Sequence, residues 1–76
     1  MEAEERCIFE WQYRKMGSFK KALMEAICLA DDDNIELLKL GFPDEVNGFI
    51  KYKSETDWWK RVQEKAVALG FIEYIG

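Results

Sequence analysis

Residues 18–31 read SFKKALMEAICLAD and carry the clearest helical pattern in this chain. Apolar side chains recur there at the three- and four-residue spacing of one helix face: Phe19, Ala22, Leu23, Ala26, Ile27 and Ala30. Ser18 suits the N-cap position, because a short polar side chain satisfies a free N–H group of the first turn. The pattern predicts a helix over residues 18–31.

The polar residues that follow predict where this helix stops and a second one begins. Asp31-Asp32-Asp33-Asn34 can cap free N–H groups, and their negative charge suits the positive end of a helix. The second helix carries Ile35, Leu37, Leu38 and Leu40. We expect it to end at Gly41-Phe42-Pro43, because glycine adopts the left-handed conformation after a helix and proline cannot continue one.

Two more helices are predicted between Pro43 and Gly70. Pro43 is favourable in the first turn of the third helix, and Gly48 weakens that helix by about 1 kcal/mol relative to alanine. The segment Ser54–Asp57 resembles a capping box and predicts a fourth helix, which ends at Gly70. Its apolar residues are Trp58, Val62, Ala66 and Leu69.

The two ends of the chain predict a small β element. Residues 7–13 alternate between apolar and polar side chains, which favours a strand with one buried face. The apolar tail, residues 71–75, is expected to pair with that strand or to dock on a neighbour, and residues 1–6 are expected to be flexible. The fold class predicted is mainly α: about four short helices with a β element from the N- and C-terminal segments, in one domain over residues 1–76.

Composition indicates a packed chain with more aromatic side chains than one small core can bury. Of 76 residues, 49% are hydrophobic, and they include three Trp, three Tyr and five Phe. A chain this short buries only about 60% of its unfolded surface, so we expect some rings to remain exposed. Exposed rings favour a homo-oligomer or a protein that binds a partner.

Charge and cysteine content exclude several partners and compartments. The formal net charge of −4 makes duplex nucleic acid an unfavourable partner. No apolar run approaches the ~20 residues that span a bilayer, and the acidic start is unlike a signal peptide, so we expect no membrane association. Cys7 and Cys28 form no close pair, which fits a reducing cytoplasm.

Catalytic and metal sites are not indicated by the sequence. Histidine, the commonest general base and metal ligand, is absent. The acidic run at residues 31–33 lacks the ligand order of a calcium loop and is better explained as helix capping. Cys28 lies in the helical pattern and is expected to be an inert packing thiol. We therefore expect no enzyme activity, no catalytic residue, no metal and no cofactor.

The first candidate site is the basic segment at residues 14–21. Four cations without an acid surround a helix start that would normally favour acidic side chains. The residues that would bind an anion or a partner are Arg14, Lys15, Gly17, Ser18, Lys20 and Lys21. The alternative is a solvated charged face that is neutralised by the chain's own carboxylates.

The second candidate site is the tryptophan pair. Neighbouring helix positions diverge by about 100°, so Trp58 and Trp59 cannot both point into one small core. With Lys60 and Arg61 they would form an aromatic patch with a cationic rim, a composition typical of interfaces. The alternative is a bulky residue at the edge of the core.

Several short motifs follow one another along the chain: Met16-Gly17-Ser18-Phe19, Ala30-Asp31, Gly41-Phe42-Pro43-Asp44-Glu45-Val46, Tyr52-Lys53 and Trp58-Trp59. They resemble motifs of a group of small proteins encoded by bacteriophages and by mobile elements of bacteria. Those proteins carry segments similar to M-G-S-F and F-P-E-E-V. The resemblance covers most of residues 9–60; Asp44 replaces a glutamate, and the tail after Leu69 has no counterpart.

The resemblance implies a setting, the cytoplasm of a bacterial host, and a function as an inhibitor of host defence similar to anti-CRISPR proteins. The partner would be a host protein, bound by protein–protein contact. One alternative is an oligomer that sequesters a signalling nucleotide at the basic helix start, and another is a structural phage component.

Overall fold

A computed structural model describes residues 1–75, and over these residues the chain forms five α-helices and no strand. The helices are α1 (Ala3–Gln12), α2 (Ser18–Leu29), α3 (Asp32–Gly41), α4 (Pro43–Ser54) and α5 (Trp58–Ala68). The mainly helical class is confirmed. The predicted β element is wrong, because the N-terminal segment is a helix and the tail forms no strand.

Helix α1 replaces the strand predicted for residues 7–13. Glu2 and Glu5 form a reciprocal capping box at its start, in which the backbone N–H of Glu2 donates to the Glu5 carboxylate at 2.8 Å. Its buried residues, Glu5, Ile8 and Phe9, recur at helical spacing. The alternation also fits a helix, because Phe9 and Tyr13 are four residues apart and their ring centroids lie 4.8 Å apart. The helix includes residues 3–6, for which we expected flexibility.

The predicted caps and ends of α2 and α3 are partly confirmed. Gly17, rather than Ser18, is the N-cap of α2, which ends two residues before the predicted end at residue 31. Asp31 caps α3 as predicted, since its carboxylate accepts the Asn34 N–H at 2.9 Å. Gly41 is the last residue of α3 and has no positive φ, so its predicted left-handed conformation is wrong.

The boundaries of the last two helices also differ in part. Pro43 opens α4 as predicted. The capping box predicted at residues 54–57 is wrong: Ser54 is the last residue of α4 and its hydroxyl donates to the Ile50 carbonyl, while Asp57 makes no side-chain cap to α5. Gly70, with φ 79°, ends α5 as predicted.

One hydrophobic core joins α1, α2, α4 and α5. Its buried residues are Ile8, Phe9, Leu23, Met24, Ile27, Val46, Trp58, Val62 and Ala66. Helix α3 contributes no buried residue and packs mainly on α4. Within the tail, Phe71 lies 5.8 Å from the Phe9 ring, whereas Tyr74 is 73% exposed. The part of α3 that faces away from α4 is therefore a free surface of the described chain.

Candidate functional site

The tryptophan pair does not form an exposed aromatic patch. Trp58 is 7% exposed and belongs to the core, while Trp59 is half-buried. The Trp59 ring lies 6.2 Å from Tyr13 and 5.7 Å from Tyr52. The divergence expected for adjacent positions is confirmed, but both rings pack against the chain itself.

The two cations after the tryptophans lie on the exposed side of α5. Lys60 is exposed, and Arg61 lies 3.9 Å from the Glu55 carboxylate in a pair that water reaches on both sides. Such exposed pairs contribute little to stability. Trp58 thus belongs to the core while Lys60 and Arg61 are exposed, and of the two rings in the predicted patch only the half-buried Trp59 is partly accessible.

The basic segment is divided by the fold into a paired and an unpaired part. Lys20 is exposed, but its ammonium group forms an ion pair with Glu45, which is 5% exposed. Its hydrogen bond with Glu45 holds the pKa of Lys20 above its ordinary value. Lys20 is therefore a structural cation, as the self-neutralised alternative predicted for this position.

Arg14 and Lys21 instead line an open cleft of about 410 Å³ together with Trp11, Met16 and Glu25. Within residues 1–75 neither cation forms an ion pair with a carboxylate. The cleft combines two cations with an aromatic ring, a set of groups that can hold a planar, negatively charged molecule. Glu25 in the lining opposes an anion.

The remaining residues of the basic segment are separated from that cleft. Lys15 lies on another shallow surface, beside Arg6 and Glu10. Gly17 and Ser18 are exposed, and nothing lies within 4 Å of the place that a Cβ on Gly17 would occupy. The segment predicted as one site is thus split, with only Arg14 and Lys21 facing a common space.

A groove that the sequence did not predict lies between the end of α2, the start of α3 and the end of α4, with a volume of about 680 Å³. Its apolar lining includes Ile27, Ala30, Ile35, Phe49 and Ile50, and its charged lining consists of Asp32, Asp33, Glu36 and Lys53. Ile27 at its floor is buried, while Ile50 is 40% exposed. The groove is an apolar channel bordered by three carboxylates and one ammonium group.

Sequence reasoning missed this groove because its lining is brought together from three helices. Asp32 and Asp33 were explained by helix capping, and the first turn of α3 does contain them. Capping requires only Asp31, however, whose carboxylate bonds the Asn34 N–H. The only signal for the groove in the sequence was that Asp32 and Asp33 are two more acidic residues than this single cap requires.

Neither cysteine is arranged as a nucleophile. Cys7, in α1, is half-buried, and burial together with the charge of Glu45 raises the pKa of its thiol to about 11. The thiol is therefore protonated near neutral pH. Cys28 is exposed at the groove, not packed in the core as we predicted.

Residues 1–75 contain neither a cluster of metal ligands nor a helix that could span a membrane. No group of three or more Cys, Asp or Glu side chains is close enough to hold a metal ion. None of the helices over this range has the length and apolar character that crossing a bilayer requires. Comparisons with protein-family models, with curated proteins and with solved structures find no match to this chain.

Proposed function

We propose that this chain is a non-enzymatic accessory protein of a phage or mobile element that inhibits a bacterial defence component by protein contact. The groove between α2, α3 and α4 is the observation that supports binding by contact. It offers apolar surface beside unpaired charge, the combination that anchors a partner and selects it.

The charges of the groove favour a cationic partner. Within the described part of the chain, Asp32, Asp33 and Glu36 form no ion pair, and Lys53 is the single cation beside them. A partner segment with an apolar anchor and flanking Lys or Arg side chains matches both features. Proteins that bind nucleic acid carry such cationic surfaces, so an acidic inhibitor can occupy them.

The setting in a bacterial host cell comes from the resemblance to small phage and mobile-element proteins. The motifs that carry it include residues 16–19, at the start of α2, and residues 41–46, at the start of α4, whereas the groove lies at the ends of these two helices. In this proposal the protein acts in the host cytoplasm, as anti-CRISPR proteins do.

A capture experiment with matched charge reversals tests the proposal. The immobilised protein is incubated with bacterial lysate, and a captured component is purified and assayed for its own activity with and without the inhibitor. We expect Glu36→Lys, in the groove, to lose capture and inhibition. Glu64→Lys reverses an exposed glutamate on α5 and should retain both.

High salt should release the partner from the unmodified protein, because the contact is electrostatic in part. Equal capture by the Glu36→Lys and Glu64→Lys variants would exclude the groove as the contact. A captured component whose activity is unchanged by the bound protein would exclude inhibition.

The cleft at Trp11 supports a second candidate function, the sequestration of a phosphorylated nucleotide. Its Arg14 and Lys21 side chains could hold the phosphate while the base stacks on the indole ring. Calorimetry with cyclic nucleotides tests it. Stoichiometric binding that is lost in Arg14→Ala and kept in Lys60→Ala would support this function. If none of the nucleotides gives a heat of binding, this function is contradicted.

A further inference from the structure

The outward face of α2 carries a line of exposed apolar side chains. Leu29 is 87% exposed and Ala22 and Ala26 are exposed, while Phe19 is 65% exposed and its ring centroid lies 6.1 Å from that of Phe42. Their spacing of three, four and three residues places all four on one side of the helix. Leu23, Met24 and Ile27 turn the other side into the core. We call residues 19, 22, 26 and 29 the α2 stripe.

The α2 stripe is complementary to a second copy of itself. Phe19 and Leu29 lie equally far from Met24 along the chain, and so do Ala22 and Ala26. A two-fold axis opposite Met24 therefore pairs Phe19 with Leu29 of the second copy and Ala22 with Ala26 of the second copy. Small alanines at the centre allow the helices to approach closely, while the larger side chains close both ends.

The charges beside the stripe select the antiparallel arrangement. Lys21 and Glu25 lie one turn apart on the flank that also lines the cleft at Trp11, and within residues 1–75 neither forms an ion pair. In an antiparallel pair, Lys21 of each copy approaches Glu25 of the other. A parallel two-fold pair would place the Lys21 and Glu25 flanks of the two copies on opposite sides of the contact, so that no lysine would approach a glutamate of the other copy.

We propose that α2 is the interface of an antiparallel, two-fold homodimer of this chain. The inference is independent of the proposed inhibitory function, because it rests on α2 spacing and charge and not on the groove rim. A contact built on a helix of 12 residues is small, so we expect a dissociation constant in the micromolar range, on the order of 1 to 100 μM.

Sedimentation equilibrium of the purified full chain over a range of concentrations tests the dimer. The unmodified protein, 9.0 kDa as a monomer, should approach twice that mass. Ala26→Glu places two carboxylates at the centre of the interface and should weaken association at least about tenfold. Ala68→Glu, on the exposed side of α5, is the matched control and should leave the association constant unchanged. Helical circular dichroism verifies that each variant is folded.

A charge swap tests the antiparallel direction. Lys21→Glu alone and Glu25→Lys alone should each weaken the dimer by about threefold to tenfold, and the double variant should restore it. A chain that remains a monomer at about 1 mM would overturn the proposal. A dimer that is as stable in the Ala26→Glu variant would also overturn it. If the double variant associates more weakly than both single variants, the antiparallel pairing is excluded.

Discussion

Arg14 occupies a backbone conformation that usually belongs to glycine. Its φ of 56° makes it the one non-glycine residue of positive φ in the described range. The Lys15 N–H donates to the Glu10 carbonyl at 2.8 Å, and at the end of α5 the Phe71 N–H donates to the Ala66 carbonyl at 2.8 Å. Helices α1 and α5 thus end in the same Schellman motif, with Arg14 in the position that Gly70 holds in α5.

We expect Arg14→Gly to raise the free energy of unfolding by about 0.5 to 1 kcal/mol. The left-handed conformation costs an L-residue roughly 1 to 2 kcal/mol, of which the greater freedom of unfolded glycine offsets a part. Urea denaturation measures the change. Arg14→Ala keeps the backbone penalty and should bring no gain, so a stabilised alanine variant would contradict this explanation.

The interactions of Glu5 lower the pKa of its carboxyl group. Its side chain is 7% exposed and lies 2.6 Å from the Lys65 ammonium group. Burial raises the pKa of Glu5, but the hydrogen bonds from Lys65 and the Glu2 N–H and the charge of Lys65 outweigh burial, so the pKa lies below its ordinary value. The ionised carboxylate therefore stabilises the folded state.

We expect Glu5→Gln to lower the free energy of unfolding by about 1 to 2 kcal/mol at pH 7. Because the folded pKa is depressed, the contribution of Glu5 is full above about pH 4.5 and is lost as pH falls through the folded pKa. Urea denaturation at several pH values should show the two proteins converging in acid. Glutamine retains the capping box, so a pH-independent difference would point to packing and not to charge.

At the scale of elements, Gly48 allows α1 and α4 to pack closely. A Cβ at this position would lie 2.7 Å from the Glu4 carbonyl oxygen and 3.0 Å from Cγ1 of Ile8. The Lys51 ammonium group lies 2.6 Å from the Glu4 carboxylate, one turn further along α4. The glycine predicted to weaken its helix is therefore required by the neighbouring backbone.

We expect Gly48→Ala to destabilise the fold by about 1 to 3 kcal/mol although alanine favours helices, because backbone atoms must move to admit the methyl group. Gly41→Ala is the control, since Gly41 is also helical and has nothing within 4 Å of its Cβ position. Thermal or urea denaturation compares them. The close-approach explanation fails if both substitutions stabilise the protein.

Local signals in the sequence were sufficient for some elements and insufficient for others. Helix α2 and the Asp31 cap were predicted because they depend on neighbours within four residues. Helix α1 was mistaken for a strand because Phe9 and Tyr13 satisfy both a period of two and an i, i+4 spacing. The role of Gly48 could not be read from its own helix, since the Glu4 carbonyl that requires it lies in α1.

At the scale of the whole molecule, seven aromatic rings form one continuous row across the helices. Neighbouring ring centroids lie between 4.8 and 6.2 Å apart. The order is Phe49, Trp11, Tyr52, Trp59, Tyr13, Phe9 and Phe71. These rings come from α1, α4, α5 and the tail, so the row links the elements that surround the core.

The aromatic row explains why the candidate sites were only partly predictable. Counting rings correctly implied that a small core cannot enclose them all, and Phe19 and Tyr74 are exposed. Counting could not show that rings would pack against one another. Tyr52, for example, lies between the rings of Trp11 and Trp59. The most exposed apolar side chains consequently lie on α2, on α3 and in the C-terminal segment after α5, and not at the tryptophan pair.

The row predicts that Trp59 stabilises the fold. Trp59→Ala should lower the free energy of unfolding by about 2 to 3 kcal/mol, because it removes ring contacts that join α5 to Tyr13 and Tyr52. Tyr74→Ala removes a ring that is 73% exposed and should change stability by less than about 0.5 kcal/mol. Urea denaturation followed by circular dichroism measures both. A Trp59→Ala variant as stable as the parent, but defective in capturing a partner, would return Trp59 to the interface role that the sequence predicted.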